Sequence, residues 1–210
     1  MNENTITGYH ATATLNIPSI MQNGFTASEP NQGHWLGKGI YLYTNLYYAI
    51  EWEMLKILNK TTCTYDEIQE KCDILSVELD TTNYNVIDFS DPQGYIIFEQ
   101  LLQKIKALYP KEEYEKILNK GFAYIIKILE NLEKITQKKF LSKYDIVCAV
   151  YPKYIIKPKT HLAGDFIPCV QKQICIKNAN SIKNITILEH NDLRKNLFKL
   201  IQYNRGEKND

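Results

Sequence analysis

Apolar and polar positions alternate from Ile6 to Thr12, which predicts a short first strand with Tyr9 and His10 on opposite faces. The period then lengthens. Asn16 to Asn23 fits a helix, with Asn16 at the cap, Pro18 in the first turn, Ile17, Ile20 and Met21 on one face, and Gly24 past the end. A polar loop, Ser28 to Trp35, leads to Gly37-Lys38-Gly39 and a second strand, Ile40 to Tyr43. From Asn45 to Asn59 two apolar stripes run side by side: Tyr47, Ile50, Met54, Ile57 and Leu58 beside Tyr48, Trp52 and Leu55. A helix apolar on two faces is expected between layers.

Ile74 to Leu79 alternates as a half-buried strand, and Asn85 to Phe89 resembles another. The texture then changes, because Pro92 to Lys139 reads as helix almost without a break. Leu101, Leu102, Ile105 and Leu108 form one face, and Leu118, Phe122, Ile125, Leu129, Leu132 and Ile135 another, with Pro110 between them. That pattern predicts two helices paired as an antiparallel hairpin, inserted between strands of a sheet. Strands resume over Tyr144 to Tyr151, Phe166 to Lys177 and Asn184 to Leu188. Asn191 can cap a last helix with Leu193, Leu197, Leu200 and Ile201 inward. The class is α+β: one domain over residues 1–210, mostly antiparallel, with flanking helices and a helical insertion at about 92–139.

Composition narrows the function classes. A 44% hydrophobic content is enough for a sizeable core, and a net charge of +1 gives no global field toward nucleic acid or membrane. Arg194 and Arg205 are the arginines, so bidentate phosphate recognition is scarce. The five cysteines form no CxxC pair and predict free thiols in a reducing compartment; no metal site is expected. Met1-Asn2-Glu3-Asn4 is not a basic region before an apolar run, and no segment approaches membrane-spanning length. The expected setting is cytoplasmic, with no membrane partner.

Taken alone, Gly37-Lys38-Gly39 before an apolar strand is a tight turn feeding a hairpin. Its company suggests more: Tyr9-His10-Ala11-Thr12 upstream and Gln171-Lys172-Gln173-Ile174-Cys175-Ile176 near the end. In order and setting these motifs resemble the poly(ADP-ribose) polymerase-like branch of the ADP-ribosyltransferases, over residues 8–52 and about 144–188. That family carries a histidine in Tyr-His-Gly-Thr/Ser, a tyrosine in Gly-Lys-Gly-Ile-Tyr-Phe and a late-strand glutamate. His10 matches the first, Tyr41 the second, and Gln173 occupies the third position.

The resemblance implies a split antiparallel sheet, NAD as co-substrate, and His10, Tyr41 and Gln173 as catalytic residues. It implies a dinucleotide site built from Tyr9, His10, Ala11, Thr12, Gly39, Tyr41, Ala49 and Trp52. His10 would bond the adenosine ribose, while Tyr41 and Trp52 would sandwich the nicotinamide. The implied reaction is transfer of ADP-ribose to RNA, DNA or protein. The implied biology is an intracellular bacterial toxin, held by an antitoxin or activated in phage defence.

Two positions depart from the pattern. Ala11 replaces a glycine, and Gln173 replaces the glutamate, keeping hydrogen bonding without the charge. Family lineages without that glutamate are generally restricted to single transfers, so the expectation is a mono-ADP-ribosyltransferase. Gln171 shares the strand face and can occupy the pocket instead, and Asp165 is a candidate substitute carboxylate. An NAD- or ADP-ribose-binding module without chemistry is the alternative. Lys153, Lys157, Lys159, Lys172 and Lys177, with Tyr151 and Tyr154, form a basic and aromatic cluster suited to a phosphate-bearing acceptor or to a solvated loop.

Overall fold

The computed structural model describes residues 4–28, 35–58, 65–153, 169–189 and 192–204. Its centre is a seven-stranded sheet. The strands in chain order are β1 (Thr5–Ala13), β2 (Ile40–Tyr43), β3 (Cys72–Asp80), β4 (Val86–Asp88), β5 (Ile146–Lys153), β6 (Cys169–Ile176) and β7 (Ile182–Ile187). They lie side by side as β4-β5-β6-β2-β1-β3-β7. All neighbours are antiparallel except β4 and β5. With helices α1 (Ile17–Asn23), α2 (Leu46–Leu58), α3 (Tyr65–Lys71), α4 (Pro92–Leu108), α5 (Lys111–Asn119), α6 (Phe122–Thr136) and α7 (Asp192–Asn204), the protein is α+β.

Alternation along the strands divides the apolar residues between the two faces. One face gathers Ile40, Leu42, Leu75, Val77, Ile174 and Ile176 under α1, whose Ile17 joins the same cluster. The other carries Ala11, Tyr43, Cys72 and Ile74 against α2 and α7, through Ile50, Met54, Phe198 and Ile201. α2 therefore lies between the sheet and α7, as its two apolar stripes require. β3, flanked by β1 and β7, is buried at every position from Cys72 to Leu75, more deeply than a half-buried strand.

The expected helical hairpin between β4 and β5 is three helices. Pro110 separates α4 from α5, and a second break falls at Gly121, whose φ of +83° ends the run. The face assigned across that break is therefore mixed. Leu118 belongs to α5 and is exposed, while its neighbour Ile117 is buried; Leu108 and Ile135 are exposed at helix ends. Leu101, Ile105, Ile117, Ile126 and Leu129 close a core of their own. Phe89, Ile97 and Phe122 join that core to the sheet, packing also against Ile87, Val147 and Cys175.

Two other features depart from the expected pattern. α3 is a polar helix with Ile68 buried, and Leu200 of α7 points outward. Arg194 of α7 is buried, with Nη1 3.4 Å from Asp73 Oδ1, so one of the arginines is spent inside the fold. The expected cap at Asn191, with Leu193's side chain, lies outside the described residues.

Candidate functional site

β1 pairs with β3 along its whole length, from Thr5 opposite Asp80 to Ala13 opposite Cys72. On its other side β1 meets β2 at one residue pair, Tyr9 opposite Tyr43. Beyond that pair the two strands part and the sheet splits. A cavity of about 400 Å³ lies at the split, within the usual range for small-molecule sites. β1 supplies His10 and Ala11, β2 supplies Ile40, Tyr41 and Tyr43, and α1 supplies Ser19 and Ile20, with Asn16 at its cap. The segment Gly24 to Ser28 closes another side, and α2 provides Ala49, Trp52, Glu53 and Lys56.

His10 bridges the split. Its Nδ1 lies 2.9 Å from the carbonyl oxygen of Tyr41. A carbonyl only accepts, so Nδ1 carries the proton and Nε2 is left as an acceptor. Phe25 meets the imidazole edge-on with ring centroids 5.1 Å apart. Burial holds the imidazole pKa below its ordinary value, outweighing the bond to Tyr41 and the nearby Glu53 charge, which both act to raise it. The site histidine is neutral at neutral pH.

That shift has a measurable consequence. The folded pKa lies below the ordinary 6.5, so below pH 6.5 the unfolded chain binds the His10 proton more readily than the native one. The His10 contribution to stability is flat above that pH and declines as pH falls toward the folded pKa. The slope is at most about 1.4 kcal/mol per pH unit. Urea midpoints at pH 7.5, 6.5 and 5.5 are expected to fall less steeply for His10→Asn than for the wild type. Parallel curves would contradict the assignment.

Tyr41 lines the cavity, but its hydroxyl serves the preceding turn, accepting from Leu36 N at 2.8 Å and donating to Gly37 O at 2.7 Å. Its ring packs beside Leu36, Val147, Ala149 and Cys175. The two glycines of the motif have separate reasons. Gly37 adopts φ +84°, which side chains disfavour. Gly39 runs so close to β6 that an added Cβ would meet Cys175 Sγ at 2.4 Å and Ile176 O at 2.7 Å. The turn is also held from outside. Glu130 Oε1 of α6 accepts from Lys38 N at 2.9 Å, and Lys177 Nζ donates to Leu36 O and Lys38 O, each at 2.7 Å, and reaches Glu130 Oε1 at 3.2 Å.

Gln173 stands behind the lining. It is buried opposite Tyr43, with Nε2 3.3 Å from the Tyr43 hydroxyl and Oε1 without a hydrogen-bond partner among the described residues. Gln171 reaches the same hydroxyl, so both amides of the late strand converge on Tyr43. Burial raises the Tyr43 pKa, and the phenol stays protonated. Tyr9, Thr12 and Gly39 lie outside the lining. Thr12 is buried, its Oγ1 accepting from Asn16 Nδ2 at 2.9 Å.

Tyr43 and Glu53 are among the lining groups that escaped the sequence reading. Tyr43 could be read from alternation with Tyr41 along β2. Glu53 could be read from the spacing Ala49, Trp52, Glu53, Lys56, a face of α2 that shares Trp52 with the second apolar stripe. The Glu53 carboxylate is buried in the cavity wall and holds Lys56 Nζ at 2.9 Å.

Other expected groups are placed differently or lie outside view. Lys172 pairs with Asp88, and Lys177 is engaged as above, which removes both from an open basic cluster. Lys157, Lys159, Tyr154 and Asp165, and the side chains of Tyr151 and Lys153, lie outside the described residues. Cys72, Cys148 and Cys175 are buried free thiols. Burial pushes their pKa values up, to about 12 for Cys72 and Cys148 and about 11 for Cys175, so they are poor nucleophiles. Among the described residues no group of three or more His, Cys, Asp or Glu is arranged to hold a metal, and no helix is long and apolar enough to cross a membrane.

No protein-family model matches the chain. It is similar to the uncharacterized protein MJ0359 of Methanocaldococcus jannaschii, at 24% identity over 221 residues. The match spans 98% of this chain and 96% of that protein, so it takes in the split sheet and the helical segment alike.

Proposed function

We propose that the protein is an NAD-dependent mono-ADP-ribosyltransferase whose dinucleotide site is the cavity at the split between β1 and β2. One observation carries the reading. His10, Tyr41 and Trp52, dispersed over the first quarter of the chain, line the same cavity, with His10 bonded to the Tyr41 backbone. A neutral imidazole with a bare Nε2 can accept from a ribose hydroxyl. Trp52 offers an aromatic surface for the nicotinamide ring. The acceptor is a macromolecule, RNA, DNA or protein, and a cytoplasmic toxin paired with an antitoxin, or serving phage defence, is the setting that fits the motif resemblance.

The test is incubation of the protein with NAD labelled in the adenylate half, alone and with cell lysate. Expected results are free nicotinamide and label carried on one class of macromolecule. Absence of both would rule out the activity. A second reading has its own observation: Gln173 is turned to Tyr43 and stands outside the lining, so the late strand supplies no charge to the cavity. A module that binds NAD or ADP-ribose without turnover would show ligand-dependent thermal stabilisation and no nicotinamide release.

A further inference from the structure

Charge in the cavity is laid out in order. The Glu53 side chain is 4% exposed, whereas that of Lys56, which it holds at 2.9 Å, is 49% exposed. Both line the cavity, so its negative charge is inside and its positive charge toward solvent. Lys56 engages Glu53 through Oε2. Trp52 lines the same space one residue before Glu53, and an aromatic face beside a buried carboxylate is suited to a cation. His10, neutral through burial, adds no opposing positive charge.

We propose that Glu53 and Lys56 read the charge distribution of the ligand, Glu53 with Trp52 taking a pyridinium ring and Lys56 the pyrophosphate of the same dinucleotide. The inference rests on the NAD reading above and adds how the site selects the oxidised form. It also gives Glu53 a part in the transfer. The bond from ribose C1′ to the pyridinium nitrogen breaks, and its electron pair leaves with neutral nicotinamide. Positive charge builds on the ribose beside the Glu53 carboxylate. An acceptor oxygen or nitrogen then bonds to C1′ and releases its proton to solvent. A fixed negative charge next to the developing cation lowers the barrier. α2 would thus supply the charge that β6 lacks at Gln173.

Calorimetric titration of the full chain with NAD and with NADH, which differ in ring charge, tests this without requiring turnover. The wild type is expected to bind NAD about tenfold tighter than NADH, or more. Glu53→Gln should bring the two affinities within about twofold of each other, a change that a merely structural role would not produce. Lys56→Gln should weaken both dinucleotides while keeping the preference. If Glu53→Gln does not fold, the wild-type and Lys56→Gln ratios carry the test. Equal wild-type affinities, or a preference retained in folded Glu53→Gln, would overturn the proposal and leave the NAD reading standing. Binding of neither dinucleotide would overturn both.

Discussion

Replacing His10 by alanine is expected to lower nicotinamide release by about a hundredfold or more, a loss on the scale of removing one preorganised hydrogen-bonding group from a transition state. The substitution removes the Nε2 acceptor and leaves the Tyr41 carbonyl without the 2.9 Å bond that crosses the split. It also enlarges the cavity where Phe25 now packs on the imidazole. Single-turnover nicotinamide release measures the first effect, and thermal melting separates it from loss of fold. A folded His10→Ala protein that releases nicotinamide at the wild-type rate would remove His10 from the mechanism. Release abolished in that variant, against measurable release in the wild type, would exclude the inert binding module.

The second large effect is on stability. Gly39→Ala is expected to cost about 2–3 kcal/mol, read as a lower urea midpoint with an unchanged slope. The added methyl would sit 2.4 Å from Cys175 Sγ and 2.7 Å from the Ile176 carbonyl oxygen. The thiol is buried and the carbonyl belongs to β6, so neither contact is relieved by moving one flexible side chain. Gly37→Ala meets a different obstacle. Its neighbour is the movable Glu130 carboxylate, yet moving it breaks the bonds to Lys38 N and Lys177 and leaves the strain of φ +84°. Wild-type stability in Gly39→Ala would show that β2 and β6 can separate without cost.

Much of this architecture is legible in the chain because its elements obey one period at a time. β2 alternates between two apolar faces and occupies the expected Ile40 to Tyr43. α2 shows two apolar stripes and is covered on both sides. The legible part ends where burial depends on a distant element. Glu53 on an isolated helix reads as a solvated charge, and only the parting of β1 from β2 encloses it. α3, with the sequence YDEIQEK, carries one aliphatic residue, Ile68, which is no stripe to detect. The break at Gly121 is hidden because Leu118 continues the spacing of the next helix while facing solvent in its own. For the late strand, alternation puts Gln171 and Gln173 on one face, but only the pairing with β2 sets both against Tyr43.

The grip of Glu130 on the Gly37–Lys38 turn makes the three-helix segment more than an ornament hung on the sheet. A trimmed chain joining residue 91 to residue 140 would leave the Lys177 ammonium facing two carbonyls with no counter-charge, and would bare Leu36, Ile87 and Val147 to water. Any partner that pulls α6 outward would slacken the same knot and, through the Tyr41 hydroxyl, the wall of the cavity. A grasp far from the ligand would then be felt where the ligand sits.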